Sequence, residues 1–177
     1  MTVFFIADTH FGHKKCLTLG KGRPFTSIEE MEETIVSNWN KKVKPEDTVY
    51  VLGDFCWGFN VKRTKSLVNL LNGQKILVYG NHDRLDAHYK SMAWNDIVPY
   101  QEIWLDGKCI ILSHYPFAEW KYAYNGSVHL HGHTHNSFDF ATLPLPHNNK
   151  QIMDVGVDCI GYTPISWDEV KEKLNIK

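Results

Sequence analysis

The sequence predicts an α/β (α+β) fold with its chemistry gathered where the strands end. Three observations predict it. First, five apolar segments each run into a side chain that can bind metal: Val3 to Ala7 into Asp8 and His10, Val49 to Leu52 into Asp54, Lys75 to Tyr79 into Asn81-His82-Asp83, Lys108 to Leu112 into His114, and Ser127 to Leu130 into His131, His133 and His135. Second, a helical pattern over Lys62 to Leu71 separates two of these strands, which makes a strand–helix–strand unit. Third, Asp106-Gly107 stands between two apolar runs, the pattern of a type I′ hairpin. That hairpin predicts antiparallel pairing in the second half of the chain. Strands laid side by side would bring their terminal ligands into one cluster.

The elements follow in order. Thr2 to Ala7 is a short buried strand. The loop after it carries His13, Lys14, Lys15, Lys21 and Arg23, with Gly20 and Gly22 for turns. It reads either as a solvated basic surface or as a reach toward an anionic substrate. Arg23, before Pro24-Phe25, is the phosphate-clamp candidate, because a guanidinium grips two phosphate oxygens at once. Ser27-Ile28-Glu29-Glu30 is a capping box. Met31, Ile35 and Trp39 then make an apolar stripe at spacing four, so a helix runs to about Lys42 and packs on the sheet. Lys41, Lys42 and Lys44 suit its C-terminal dipole.

Pro45-Glu46-Asp47 turns the chain into the strand that ends at Gly53-Asp54. The aromatics Phe55, Trp57 and Phe59 beside that end read as packing or as a pocket wall. Leu67, Leu70 and Leu71 face inward on the second helix, and Asn72-Gly73 stops it. A short helical piece is expected through Leu85 to Met92. Tyr115, Phe117, Trp120, Tyr122 and Tyr124 form an aromatic loop after His114, either packed or walling a substrate site. Ile152 to Val157 is the final strand, and Ser166-Trp167-Asp168-Glu169 is a second capping box opening a C-terminal helix. His88 and His147 read as surface residues, while His129 and His131 alternate with a strand and belong to the core or to the surroundings of the ligands.

Composition bounds the function. At 177 residues, 43% hydrophobic and 22% charged, residues 1–177 read as one globular domain with its own core. A formal net charge of -1 gives no case for capture of long nucleic acid or of a membrane surface. No apolar run is long enough to span a bilayer. Met1-Thr2 leads directly into a strand, so no removable signal peptide is expected. Cys16, Cys56, Cys109 and Cys159 are widely spaced and read as free thiols, which fits the cytoplasm. There is no Walker-type loop and no Gly-x-Ser-x-Gly.

The candidate ligands are Asp8, His10, Asp54, Asn81, His114, His133 and His135. Carboxylate, imidazole and amide oxygen suit borderline divalent metals such as Mn, Fe, Zn or Ni. Seven ligands are too many for one ion with an open position and enough for two that share a carboxylate. Two ions roughly 3.5–4 Å apart would activate a bridging water and hold both oxygens of an in-line phosphoryl displacement.

Asp8-x-His10, Gly53-Asp54, Gly80-Asn81-His82-Asp83, His114 and Gly132-His133-x-His135 together resemble the five motifs of the calcineurin-like metallophosphoesterases, in the family's order and over most of the chain. The resemblance is to the small bacterial and phage members, which also show pieces like His10-Phe11-Gly12-His13 and Arg23-Pro24-Phe25. It implies a four-layer αββα sandwich, two mixed sheets face to face with helices outside. It implies that Asp8, His10 and His135 hold one ion, that Asn81, His114 and His133 hold the other, and that Asp54 bridges them. His82 would bond the phosphoryl group or protonate the leaving oxygen. Asp83 would orient His82 or shape the turn, and His13 would touch substrate phosphate or fix its loop. With His at position 10 and no Tyr ligand, an iron–tyrosinate centre is not expected. The implied activity is hydrolysis of a phosphodiester with two divalent ions, manganese first, on a phosphorylated small molecule or nucleotide-like substrate. A phosphomonoesterase, a nuclease acting on long chains and a non-catalytic metal-binding module are the alternatives.

Overall fold

A computed structural model describes residues 1–18, 22–58, 61–83, 94–137 and 145–176. The helical piece expected from Leu85 to Met92, His88, Phe59 and the Gly20-Lys21 part of the basic loop lie outside the described residues.

Two mixed sheets carry the fold. The first contains β1 (Val3–Ile6), β2 (Thr48–Val51), β3 (Gln74–Val78), β4 (Asp96–Val98) and β9 (Ile165–Ser166), in the order β4-β3-β2-β1-β9. Its first four strands are parallel, and β9 adds to the edge antiparallel to β1. The second contains β5 (Gln101–Leu105), β6 (Lys108–Leu112), β7 (Val128–His131) and β8 (Ile152–Asp154), in that order. The β5–β6 hairpin forms as expected, with Asp106 and Gly107 at φ 49° and 74° as a type I′ turn requires. The expected antiparallel second half stops there. β6, β7 and β8 pair in parallel, because the long connections 113–127 and 132–151 cross over instead of turning back.

Alternation along the strands builds the layers. Phe4 and Ile6 join Val49, Val51 and Leu77 under α1 (Ile28–Lys42) and α2 (Val61–Leu70), packed on Met31, Ile35, Trp39 and Val68. Phe5 and Ala7 face the other way and meet Ile110, Leu112, Val128 and Leu130 between the two sheets. Trp167 and Val170 of α4 (Trp167–Lys173) close that inter-sheet core. Cys109, Ile111 and Ile152 point outward from the second sheet and are covered by Trp120 and Ala123.

Several local expectations change. Leu70 is exposed; Thr64 and Val68 are the buried residues of α2, with Leu71 buried just beyond its end. Ser27 caps α1 by accepting from the Glu30 N–H, but the Glu30 carboxylate turns to Thr26, so the box is half formed. The last strand ends at Asp154, not Val157, because the Asp154 side chain accepts from Gly156 N (2.7 Å) and folds the chain into α3 (Val157–Ile160). His147 is buried, edge-on to Trp120 at 4.3 Å, where a surface residue was expected.

The two sheets meet where their strands end. Ala7 N–H donates to Val155 O and Val157 N–H to Ala7 O, so β1 is bonded directly to the chain leaving β8. Beyond β1 and β2 the pairing continues into the loops through Asp8 N–H to Gly53 O and His10 N–H to Asp54 O, both 3.0 Å. The ligand loops therefore extend the sheet and are held as firmly as it is.

Candidate metal centre

The strands stop where the ligands begin because the backbone turns left-handed there. Asp8, His10, Asp54, His133 and His135 sit at φ 55°, 48°, 52°, 71° and 48°. Asp, Asn and His tolerate that region best among residues with a side chain. Strained backbone of this kind collects at functional sites. Two glycines let three loops converge. A Cβ on Gly53 would meet Gly80 N at 2.7 Å, and one on Gly80 would meet the His114 ring at 2.8 Å. Without them the turns after β2, β3 and β6 could not close on one point.

Two ligand groups result: Asp8, His10 and His135, and Asp54, His114 and His133. His10 Nε2 lies 3.2 Å from His135 Nε2, and His133 Nδ1 lies 3.2 Å from His114 Nε2. Donor nitrogens about 2.1 Å from a shared ion stand about 3.0–3.4 Å apart at tetrahedral or octahedral angles, so both pairs fit. Asn81 Oδ1 approaches His114 Nε2 at 2.9 Å and joins the second group. Asp54 lies between the groups, its Oδ2 3.6 Å from His10 Nε2 and 3.5 Å from His114 Nε2. All seven candidate ligands are thus brought together.

The electrostatics also call for cations. Asp8 is fully buried, and one of its carboxylate oxygens has no hydrogen-bond partner. Burial, reinforced by Asp154 and Asp54, pushes its pKa well above the usual carboxylate value. Burial and the neighbouring His135 and Arg23 hold His10 down to about 2, so its imidazole is neutral and free to ligate. Burial and then His114 lower His133 as well. A buried carboxylate oxygen without a donor, beside neutral imidazoles, belongs to a set that divalent ions satisfy.

The surrounding groups set the ligands' orientation. His114 Nδ1 pairs with Leu52 O at 2.9 Å, which turns Nε2 toward the centre. His135 Nδ1 bonds Asp158 Oδ2 at 2.8 Å. Burial alone would raise Asp158, but the His135 bond and the Arg23 guanidinium outweigh it and hold the carboxyl at about 2. Asp8 Oδ2 accepts from His133 N–H at 2.8 Å, tying the first ligand loop to the last. Asp83 accepts from Asp54 N (2.7 Å), Gly80 N (2.8 Å) and Phe55 N (3.1 Å), so its carboxylate knots two ligand turns together. His82 stands at the mouth with Nε2 3.9 Å from Asp54 Oδ2, and its own N–H donates to Asp54 Oδ1 at 2.9 Å.

Arg23 is turned away from an exposed phosphate position, while His13 lies beside His10 with ring centroids 5.3 Å apart. Arg23 is buried, with its guanidinium on Asp158 at 2.9 Å, Asp8 O at 2.7 Å and Thr9 O at 3.1 Å. It braces the Asp8–His10 loop and is not exposed to clamp a phosphate. His13 is buried as well, its ring stacked on Trp57 at 3.6 Å with the planes 4° apart. Asp158 was missed in the sequence. Its only signal was an acidic residue directly after the expected last strand.

A family model for calcineurin-like phosphoesterases matches residues 1–137. The chain belongs to the calcineurin-like phosphoesterase family. With the two ligand groups, that makes it a metal-dependent phosphoesterase acting on phosphate esters. An uncharacterised protein of Methanocaldococcus jannaschii is 32% identical over 168 residues, 94% of this chain and 87% of its own. The crystal structure of a protein of unknown function from Aquifex aeolicus, also 32% identical, aligns over 97% of this chain and 98% of its own with a TM-score of 0.78. A novel archaeal phosphodiesterase, 20% identical, covers 88% of this chain and 84% of its own at a TM-score of 0.50 and shares the fold.

Proposed function

We propose that this phosphoesterase holds two divalent ions, manganese first among them, and hydrolyses phosphodiesters. The observation that carries the reading is the placement of Asp54 between two compact ligand groups, within 3.6 Å of a nitrogen from each. Asp8, His10 and His135 would hold one ion, Asn81, His114 and His133 would hold the other, and Asp54 would serve both. When bound, the ions supply Lewis acidity toward the phosphoryl oxygens and an acidified water as nucleophile.

The chain's own residues do the rest. His82, partly exposed at the mouth and fixed through its backbone N–H, donates a hydrogen bond to a phosphoryl oxygen or a proton to the leaving oxygen. Asp83 and Arg23 act by positioning: the first locks the turns carrying Asp54 and Asn81, the second the backbone of Asp8 and Thr9. A binding module that had lost its chemistry would lack ligands or the mouth histidine, and all are present. Among the described residues no helix is long and apolar enough to cross a membrane. The four free cysteines support a cytoplasmic setting, and residues 1–177 are taken as one domain.

The test compares bis(p-nitrophenyl) phosphate with p-nitrophenyl phosphate, using protein stripped of metal and protein resupplied with manganese. Diester cleavage is expected to require metal, to fall at least ~1000-fold in Asp54→Asn, and to fall ~100-fold or more in His82→Ala. A preference for the monoester would replace the substrate class. Metal-independent turnover would overturn the mechanism.

A further inference from the structure

Large apolar side chains are mostly buried in this protein, and the exceptions are informative. Among the described residues Trp57 is 41% exposed and Tyr115 is 48% exposed, and both touch rings of the metal centre. Trp57 lies 4.5 Å from the ring of His82 and 6.3 Å from that of His10. Tyr115 lies 4.5 Å from His133 and 5.1 Å from His114. One aromatic thus borders the Asp8–His10–His135 group and the other the Asp54–His114–His133 group. Among the described residues the other exposed aromatics sit away from the ligand rings: Trp104 packs with Tyr122, and Tyr124 with His147.

Both residues sit on bonded backbone, and each ring rests against its neighbours. The Trp57 backbone N–H donates to Phe11 O at 2.9 Å, and His13 lies flat against the indole. That stack gives buried His13 a purpose: it backs the indole and holds its plane. Tyr115 O accepts from Ser113 Oγ at 2.6 Å, which pins the turn beside His114. An exposed aromatic held rigid at the edge of a polar site loses little entropy when a planar group stacks on it.

We infer that Trp57 and Tyr115 are stacking platforms on the two sides of the phosphate position, and that the substrate is a short phosphodiester with nucleoside arms. The inference rests on the diesterase reading above and extends it to the groups the phosphate joins. A phosphate held between the two ligand groups directs one ester arm past His82 toward Trp57 and the other toward Tyr115. The planar groups that phosphodiesters carry in such positions are nucleobases, and stacking on aromatics accepts any base. Trp57 is also one of the residues around a cavity of about 290 Å³ that Gly12, Lys14, Glu29, Glu32 and Arg63 help to line. That space suits one nucleoside, with Lys14 and Glu29 at its wall and Glu32 and Arg63 paired with each other. The charge of -1 gives no electrostatic track for a long strand. A dinucleotide or a short single-stranded end fits.

The experiment uses the manganese-loaded protein and two diesters with one leaving group: thymidine 5′-(p-nitrophenyl phosphate) and methyl p-nitrophenyl phosphate. The ratio of their kcat/KM values isolates what the nucleoside adds. A ratio of about 5 to 150 is expected for the parent, the range of one base stack, collapsing toward 1 in the Trp57→Ala/Tyr115→Ala double variant. A parent ratio near 1, or a ratio unchanged in the double variant, would overturn the inference while leaving the diesterase standing. A second readout needs no turnover. Thymidine 5′-monophosphate is expected to bind the loaded parent at least ~5-fold more tightly than ribose 5-phosphate, and that advantage is expected to vanish in the double variant. If neither diester is cleaved but this binding difference holds, the diesterase reading fails and the platforms stand. If the two ligands bind alike, the platforms fail.

Discussion

A single carboxylate shows how much of this site is built from the backbone. Asp83 follows the mouth histidine in sequence, which invites a catalytic role. Its oxygens instead accept from three backbone N–H groups belonging to the turns after β2 and β3. Removing a buried acceptor strands those donors at about 1–3 kcal/mol each. Asp83→Ala is therefore expected to lower the unfolding free energy of metal-free protein by about 3 kcal/mol or more in urea titrations. Asp83→Asn, which keeps one acceptor oxygen, is expected to recover roughly half of the loss. An alanine variant as stable as the parent but inactive would return Asp83 to the chemistry. Arg23 carries the matching lesson. A guanidinium beside a ligand loop looks like a phosphate clamp until Asp158 appears, 135 positions away, at 2.9 Å. Ligand types and their place at strand ends are local patterns and were legible. Which buried charge neutralises which is a property of the closed fold.

At the scale of elements, what was legible again followed range. The β5–β6 hairpin is set by two adjacent residues, and the two helix starts by four each. Those starts differ in a measurable way. At α4 the box is complete: Ser166 accepts from Glu169 N–H, while the Glu169 carboxylate accepts from Ser166 N and Oγ at 2.8 Å and pairs with Lys42 of α1. At α1 only the Ser27 half forms. Ser166→Ala is accordingly expected to cost about 1–2 kcal/mol and Ser27→Ala about 0.5–1, read from paired thermal melts. Equal losses would show that the reciprocal bond at α4 contributes nothing. The parallel pairing of β6, β7 and β8 was not legible, since nothing within any one of those strands says where a fifteen-residue class of connection will return its partner. The end of β8 was misplaced for a related reason: Val155 and Val157 extend the apolar pattern, but the Asp154 side chain captures Gly156 N–H and bends the chain away.

At the scale of the whole molecule, the metal centre joins the two sheets. Asp8, His10, Asp54 and Asn81 follow strands of the first sheet; His114, His133 and His135 follow strands of the second. The first ligand group takes Asp8 and His10 from one sheet and His135 from the other, and the second takes Asp54 from one and His114 and His133 from the other. Each ion would therefore cross-link the sheets at the end where five left-handed ligand residues shape three turns. The stability of the protein should follow the ions by mass action. With free metal at about 100 times its dissociation constant, each independent site adds about 2.7 kcal/mol. For a domain of this size that corresponds to a rise in Tm of roughly 5–10 °C per site. Chelation is expected to lower Tm by that amount and restored manganese to recover it. Asp54→Asn is expected to weaken both proposed sites at once and to abolish most of the response, although the substitution removes only a charge and leaves the side chain's shape. If the ions bound only to one sheet's loops, single ligand substitutions in the other sheet, such as His135→Ala and His133→Ala, would leave the metal-induced shift intact. The placement of the ligands requires that substitutions in either sheet reduce it.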